Sequence, residues 1–318
     1  MGRKGVALRV VMYHYVRPSS DDLPHLRYLP LDGFRRQLDH FAATEGFAAR
    51  DDVVAAADGG PVPPGVVLTF DDGLADHVDV VLPELVERDL WGLFFVPSAP
   101  HTEGIVLDVH RIHHLLGRHG GPACRRALHA TVDRSELTSD RRAEFETGAY
   151  QGQEDDEATT TFKRLLNYVV PFDRRDEVLT AIETALDRDP GAAQALYATP
   201  AGLATLVSSG SIVGSHGHSH RVMSRLSPPE QAVEVARSVA LLDETLPPQA
   251  RRTYCHPYGG EHTFTPDTER ILDDAGCALS FSVEPRDVTA ADVRDRPQAL
   301  PRWDCNRFPH GAAAGGAT

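Results

Sequence analysis

Two short apolar runs, each closed by a polar turn and followed by a helical pattern, constrain this chain most. Val66-Val67-Leu68 leads into Thr69-Phe70-Asp71-Asp72-Gly73, and an amphipathic segment follows. Ser211-Ile212-Val213 leads into Gly214-Ser215-His216-Gly217-His218-Ser219-His220. Short apolar runs bounded by turn residues read as buried strands. Strands alternating with helices imply an α/β fold with a parallel sheet. Such folds place their chemistry where strands end and helices begin.

Asp71 and Asp72 are adjacent carboxylates at such a junction. Like charges this close resist joint ionisation unless a cation or a proton relieves them. The bland alternative is an Asx turn and helix cap, since Asp favours both. His216 and His220 stand four apart, so one helical turn would aim both imidazoles the same way. That spacing suits two nitrogen ligands on one metal. The bland alternative here is a polar loop in a chain with 16 histidines. Two imidazoles and one carboxylate leave coordination positions open for water and substrate. A spare carboxylate beside them can accept a proton from that water. This is the donor set of a metal-dependent hydrolase.

Thr69-Phe70-Asp71-Asp72-Gly73 and His216-x-x-x-His220 resemble the first two motifs of the polysaccharide deacetylases, the NodB-homology or carbohydrate esterase 4 family. Cys255-His256-Pro257-Tyr258-Gly259 resembles the third. Met12-Tyr13-His14-Tyr15-Val16 and Phe34-x-x-Gln37-Leu38 are also similar to many bacterial members. The resemblance runs over roughly residues 6–309. It implies a distorted (β/α)7 barrel in which Asp72, His216 and His220 hold a divalent metal. Zn2+ is the first expectation, with Co2+, Ni2+, Mn2+ and Fe2+ as alternatives. It further implies Asp71 as general base and the backbone N–H of Tyr258 as an oxyanion donor. His218 receives no role.

The departures are informative. The family's third motif carries an Arg that orients the base carboxylate, and here that position is Cys255. Arg302 ends the last apolar run and is expected to replace that Arg in space; a surface Arg is the alternative. The fourth motif is reduced to Phe281-Ser282-Val283-Glu284-Pro285. The Leu-x-x-His that supplies the general acid has no match. His14, at the end of the first strand, is the preferred substitute, ahead of His310 and His256. The alternative for His14 is a buried, hydrogen-bonded core histidine.

Apolar residues make up 41% and charged residues 25% of the 318 positions, as in an ordinary globular enzyme. The net charge of −14 argues against nucleic acid as a partner. Met1–Val16 has an apolar run broken by Arg9 and no small-residue cleavage site, so neither signal peptide nor membrane span is expected. Cys124, Cys255, Cys277 and Cys305 lack CxxC spacing and read as reduced thiols of a cytoplasmic protein.

Strands are expected at Val6–Met12, Val66–Phe70, Trp91–Val96, Ser211–Ser215, Arg252–Cys255, Ala278–Val283 and Ala299–Arg302. Helices are expected at Leu31–Thr44, His77–Arg88 (kinked by Pro83), Pro228–Thr245 and Pro266–Ala275. Between Pro100 and Pro200 the patterns are helical, at Asp108–Arg118, Pro122–Val132, Thr159–Val169 and Arg174–Asp187. This stretch reads as an insertion over one rim of the barrel, able to close the site around a small or medium ligand. Its acidic patch, Glu154-Asp155-Asp156-Glu157, reads as a solvated loop. The domain expectation is one deacetylase-like barrel over 1–310, with the insertion at about 100–200, and a flexible tail over 311–318.

The functional expectation is hydrolysis of a C–N amide bond. N-deacetylation of an amino-sugar-containing precursor in a biosynthetic pathway is the first reading. A deformylase or amidase acting on a non-sugar amide is the alternative within enzymes. A catalytically silent sugar-binding protein on the same scaffold is the alternative of another class; an intact Asp71 argues against it.

Overall fold

The structure, a computed structural model, describes residues 8–18, 23–132, 155–186 and 195–313. It divides into two compact units. The first holds Met1–Pro18, Leu29–Ile105 and Ala195–Ala313; the second holds Ser19–Tyr28 and Val106–Gln194.

The first unit is built on a parallel sheet. Its strands are β1 (Leu8–Tyr13), β4 (Gly65–Phe70), β5 (Gly92–Val96), β6 (Ile212–Ser215), β7 (Arg252–Cys255), β8 (Cys277–Phe281) and β9 (Trp303–Asp304), in the order β8-β7-β6-β5-β4-β1-β9. A separate parallel pair joins β2 (Val16–Arg17) to β3 (Leu29–Pro30). The ring closes at one residue. Leu300 bridges to Phe281, donating to the Ser280 carbonyl and accepting from the Ser282 amide, each at 2.8 Å. Three residues later β9 pairs with β1. This is the distorted (β/α)7 barrel that the motifs imply.

Strand alternation decides what faces inward. Val11, Tyr13, Val66, Leu68, Phe70, Phe94, Val96 and Val213 pack together under the helices Leu31–Thr44 and Pro200–Ser208. The intervening residues Leu8, Val10, Val67, Leu93, Phe95, Ile212, Cys255 and Leu300 form a second core. Continuing that inward series by twos leads to His14, Asp71, His216 and Arg302. The apolar pattern of each strand thus fixes which polar residue its end presents. Gly214 belongs to the same series. A Cβ there would lie 2.3 Å from Thr253 Oγ1, so only glycine lets β6 and β7 approach.

The outer helices follow their sequence signals. Leu31–Thr44 buries Phe34, Gln37, Leu38 and Phe41 on one face. Pro228–Thr245 starts with a capping box of Ser227 and Glu230, and Pro266–Asp274 with one of Thr265 and Thr268. Ahead of Pro83 the chain widens into a π-turn, His77–Val81, which continues into the helix Leu82–Glu87. Leu82 N–H reaches back five residues to the His77 carbonyl. The wider register suits a proline that has no N–H to give.

Two expectations need correction. The last strand is not Ala299–Arg302 but Trp303–Asp304, preceded by a 3-10 turn at Pro297–Ala299. Pro301, without an N–H, cannot continue a ladder. The acidic patch departs from a solvated loop at Asp155, while Asp156 and Glu157 are exposed. Asp155 has a side chain 3% exposed and pairs with Arg27 at 3.3 Å and Lys163 at 2.8 Å. Asp156 caps the helix Glu157–Arg164 through the Thr159 amide. Glu154 lies outside the described residues. Gly311, the first residue of the expected tail, is buried and donates to the Phe308 carbonyl at 3.1 Å; residues 314–318 lie outside the described residues.

The second unit is helical where described. Asp108–Thr131 is interrupted at Gly120 (φ 73°), next to Pro122, which reproduces the expected break between two helical patterns. With Glu157–Arg164 and Phe172–Ala185 it encloses a core of Ile112, Leu115, Phe162, Leu166, Leu179 and Ile182. Arg111 ties this unit by ion pairs to Asp176 at 2.6 Å and Glu183 at 2.9 Å. Among the described residues, no helix is long and apolar enough to cross a membrane.

Candidate metal centre and active site

β4 runs directly into Asp71 and Asp72, and the two carboxylates part company. Asp71 continues the inward series, and its amide donates to the Tyr13 carbonyl at 2.9 Å. Asp72 has φ 82°, a left-handed turn that swings its side chain aside. Each carboxylate therefore meets different partners, although both are about 2% exposed.

Asp72 meets the histidines. Its Oδ1 lies 3.4 Å from His216 Nε2 and 3.5 Å from His220 Nε2. All three side chains are buried. Ligands about 2.1 Å from a tetrahedral zinc stand about 3.4 Å apart, so this spacing fits one ion. The tautomer fits as well. His216 Nδ1 lies 2.8 Å from the Cys255 carbonyl. A carbonyl only accepts, so Nδ1 carries the proton and Nε2 presents its lone pair to the cluster.

The route to that geometry differs from expectation. His216–His220 is not a helical turn but a loop, with Gly217 at φ 74° and His220 at φ 55°. The two rings still converge, with centroids 4.8 Å apart. His218 points elsewhere: its ring engages Ser98 Oγ at 2.7 Å and Glu103 Oε1 at 3.1 Å.

Asp71 meets Arg302. Two parallel hydrogen bonds of 2.8 Å join the guanidinium to both carboxylate oxygens. Arg302 is 1% exposed, so the surface-Arg alternative is excluded. It also donates to Thr69 Oγ1 at 3.0 Å and the Ser282 carbonyl at 2.9 Å, and its Nη2 touches Cys255 Sγ at 2.9 Å. The guanidinium thus borders the residue at the family's Arg position. Burial pushes the Asp71 carboxyl up, but the charge and hydrogen bonds of Arg302 outweigh it and bring its pKa to about 2. Asp71 is a carboxylate at any working pH.

His14 follows β1, and its Nε2 lies 4.0 Å from Asp71 Oδ2 with the side chain 41% exposed. It is not a buried core histidine. His77, held among Phe70 and Phe94, donates Nε2–H to the His14 carbonyl at 3.0 Å and so fixes its backbone. Burial lowers the His77 pKa to about 4, which keeps that ring neutral. His256 is excluded as the acid. It is 1% exposed, stacked on Phe264 at 3.9 Å and bonded to the Gln298 carbonyl at 2.7 Å. Burial takes its pKa down to about 3. His310 is exposed on the chain near Gly33. We expect His14→Ala to lower kcat on amides by about 10²-fold or more while metal content stays at the wild-type level. Normal amide turnover by that variant would assign the acid elsewhere.

Tyr258 adopts φ 62° and brings its ring within 5.0 Å of the His220 ring. Gly259 follows at φ 66°, where a Cβ would lie 2.5 Å from Val283 Cγ1. The turn of the third motif is therefore held against β8, and it needs glycine at that position.

The polysaccharide deacetylase family model matches residues 180–279, a span that takes in the histidine motif and Cys255–Gly259. No curated protein matches the sequence. Several solved structures share the fold. A deacetylase from Streptococcus pyogenes, PplD, in complex with acetate, is 16% identical with a TM-score of 0.58, covering 95% of this chain and 93% of that one. IcaB from Ammonifex degensii is 20% identical with a TM-score of 0.53, covering 94% and 91%. The BpsB deacetylase domain from Bordetella bronchiseptica is 14% identical with a TM-score of 0.51, covering 96% and 97%. The chain is thus similar to the polysaccharide deacetylase family over residues 180–279, and it shares the fold of these deacetylase structures over nearly its whole length.

Proposed function

We propose that the protein is a metal-dependent N-deacetylase acting on an amino-sugar-containing precursor in a biosynthetic pathway. One observation carries this reading: a buried Asp72–His216–His220 donor set lies beside a separate, ionised Asp71. The acyl group is supported by the S. pyogenes neighbour, a deacetylase solved with acetate. A cytoplasmic location is supported by four cysteines that are each buried and unpaired, which suits a reducing compartment.

Asp72, His216 and His220 would hold the ion, and the mixed N/O donor set favours zinc or a neighbouring divalent metal. When bound, it polarises the scissile carbonyl and acidifies the attacking water. Asp71 accepts the water proton. Arg302 fixes the plane of Asp71 and keeps it ionised. The backbone N–H of Tyr258 donates to the oxygen on which charge develops. His14, with Nε2 4.0 Å from Asp71 Oδ2, donates the proton that lets the amine leave.

The test is acetate release from a panel of N-acetylated amino sugars, sugar nucleotides and non-sugar amides, with metal content measured in parallel. Acetate from the sugar compounds, lost on chelation and restored by Zn2+, is the expected result. Formate release or turnover of non-sugar amides alone would replace the substrate reading. His216→Ala should reduce metal retention sharply, because two protein ligands remain; wild-type retention in that variant would refute the ligand set.

A further inference from the structure

The loop between the two histidine ligands has a shape that it cannot hold by itself. It contains no regular hydrogen-bonded turn of helix, and it places His220 in the left-handed region that L-residues avoid. Yet the two imidazoles need a fixed separation to share one ion. The loop is gripped from two sides. On one side the His218 ring engages Ser98 and Glu103, and the Ser98 and Ala99 amides donate to the Gly217 and His218 carbonyls at 3.1 and 2.9 Å. On the other side stands Glu234, from the helix Pro228–Thr245, with 7% exposure. Its Oε2 accepts the backbone N–H groups of His218 at 3.1 Å and Ser219 at 2.8 Å, and its Oε1 accepts the Ser219 hydroxyl at 2.6 Å. These donors all belong to the residues between His216 and His220.

We propose that Glu234 is a positioning residue of the metal centre, a carboxylate that never touches the ion but fixes the spacing and orientation of its two histidine ligands. Two consecutive backbone N–H groups aimed at one oxygen form an anion nest, here filled by the protein's own side chain. Charge-assisted hydrogen bonds are about twice as strong as neutral ones, so a carboxylate holds those donors more strongly than an amide or hydroxyl of similar size. The loop's left-handed residue is then held by the adjacent helix rather than by its own preference. This inference rests on the reading of Asp72, His216 and His220 as the metal ligands.

The test uses the full chain and two metals. Zinc release to an excess of chelator is timed, and the visible spectrum of the Co2+-substituted protein reports ligand geometry. Glu234→Leu keeps the bulk but leaves two amides without their acceptor. It should release zinc about 10- to 100-fold faster, the usual effect of removing a group that orients a ligand. Its Co2+ band should shift. Glu234→Gln can turn its oxygen to the two amides and its NH2 to the Ser219 hydroxyl, so it should recover most of the loss. Thr265→Ala removes a helix cap elsewhere; it lowers stability but should leave both metal readouts unchanged. If Glu234→Leu does not fold, Ser219→Ala, which removes one of the three bonds, should still speed zinc release. Wild-type release rates and Co2+ spectra in the Leu or Ser219→Ala protein overturn the proposal. A wild-type chain that binds neither metal overturns the ligand reading itself, and this inference with it.

Discussion

Asp71→Asn is expected to leave zinc bound and to lower kcat by about 10²–10⁴-fold, the range that a general base supplies. An amide cannot take the water proton at neutral pH. The same substitution should also weaken the fold, because Arg302 would keep its charge in a buried site with no carboxylate opposite. Breaking a buried pair on one side costs about 3–5 kcal/mol. Activity must therefore be measured well below the melting transition, with metal content quantified in the same sample. Asp72→Asn should behave differently. It removes a charged ligand, so metal is lost along with turnover, while the Asp71–Arg302 pair survives. Equal loss of metal in the two variants would mean that the division into ligand and base is wrong; loss in Asp71→Asn alone would mean that the two have been exchanged. Equal retention in both would mean that Asp72 is not a ligand.

The division of labour between these neighbours was partly legible in the sequence. Strand periodicity could place one carboxylate inward at the end of β4. It could not show that Asp72 turns left-handed and leaves the series, since φ 82° at a non-glycine residue is a tertiary demand. The histidine pair shows the same limit. Spacing by four suggested a helical turn, whereas the rings converge through a loop held by Ser98, Glu103 and Glu234. None of these three lies in a motif, and only contacts across the fold single them out. The expectation for His14 came from strand direction alone, and the structure sets it 4.0 Å from Asp71. Helices with strong amphipathic spacing, such as Leu31–Thr44 and Pro228–Thr245, were read with their observed bounds. Arg50–Ala57 and Ala290–Asp295 were missed. Each is short; Arg50–Ala57 buries only Val53 and Ala56, and Ala290–Asp295 buries nothing. The final strand was misplaced because barrel closure there depends on one bridge at Leu300 rather than on a periodic run.

Arg302 is the position where sequence and structure inform one another most, and exchanging it with Cys255 should be decisive. Nη2 and Sγ are 2.9 Å apart, so a guanidinium entering from either backbone can reach Asp71. Arg302→Cys alone leaves a buried carboxylate with its burial unopposed. It should cost about 3–5 kcal/mol of stability. The pH dependence follows from the sign of the shift. With Arg302, the Asp71 pKa is held at about 2. A carboxyl depressed on folding stabilises the protein above its unfolded pKa of about 3.9 and loses that contribution as pH falls toward 2. Without Arg302 the shift reverses, the carboxyl titrates above its ordinary value, and the acid limb of kcat/KM moves to higher pH. Cys255→Arg alone places two cations against one carboxylate and should also destabilise. The double variant, Arg302→Cys with Cys255→Arg, conserves both the volume and the charge of the cluster. It should recover stability and return the acid limb toward the wild-type position, giving a coupling energy well above the scatter expected for independent sites. If Arg302→Cys leaves melting and pH profile unchanged, the pair is ornamental. If the double variant is merely the sum of the singles, the guanidinium must come from β9's side of the barrel, and its position in the chain is not interchangeable.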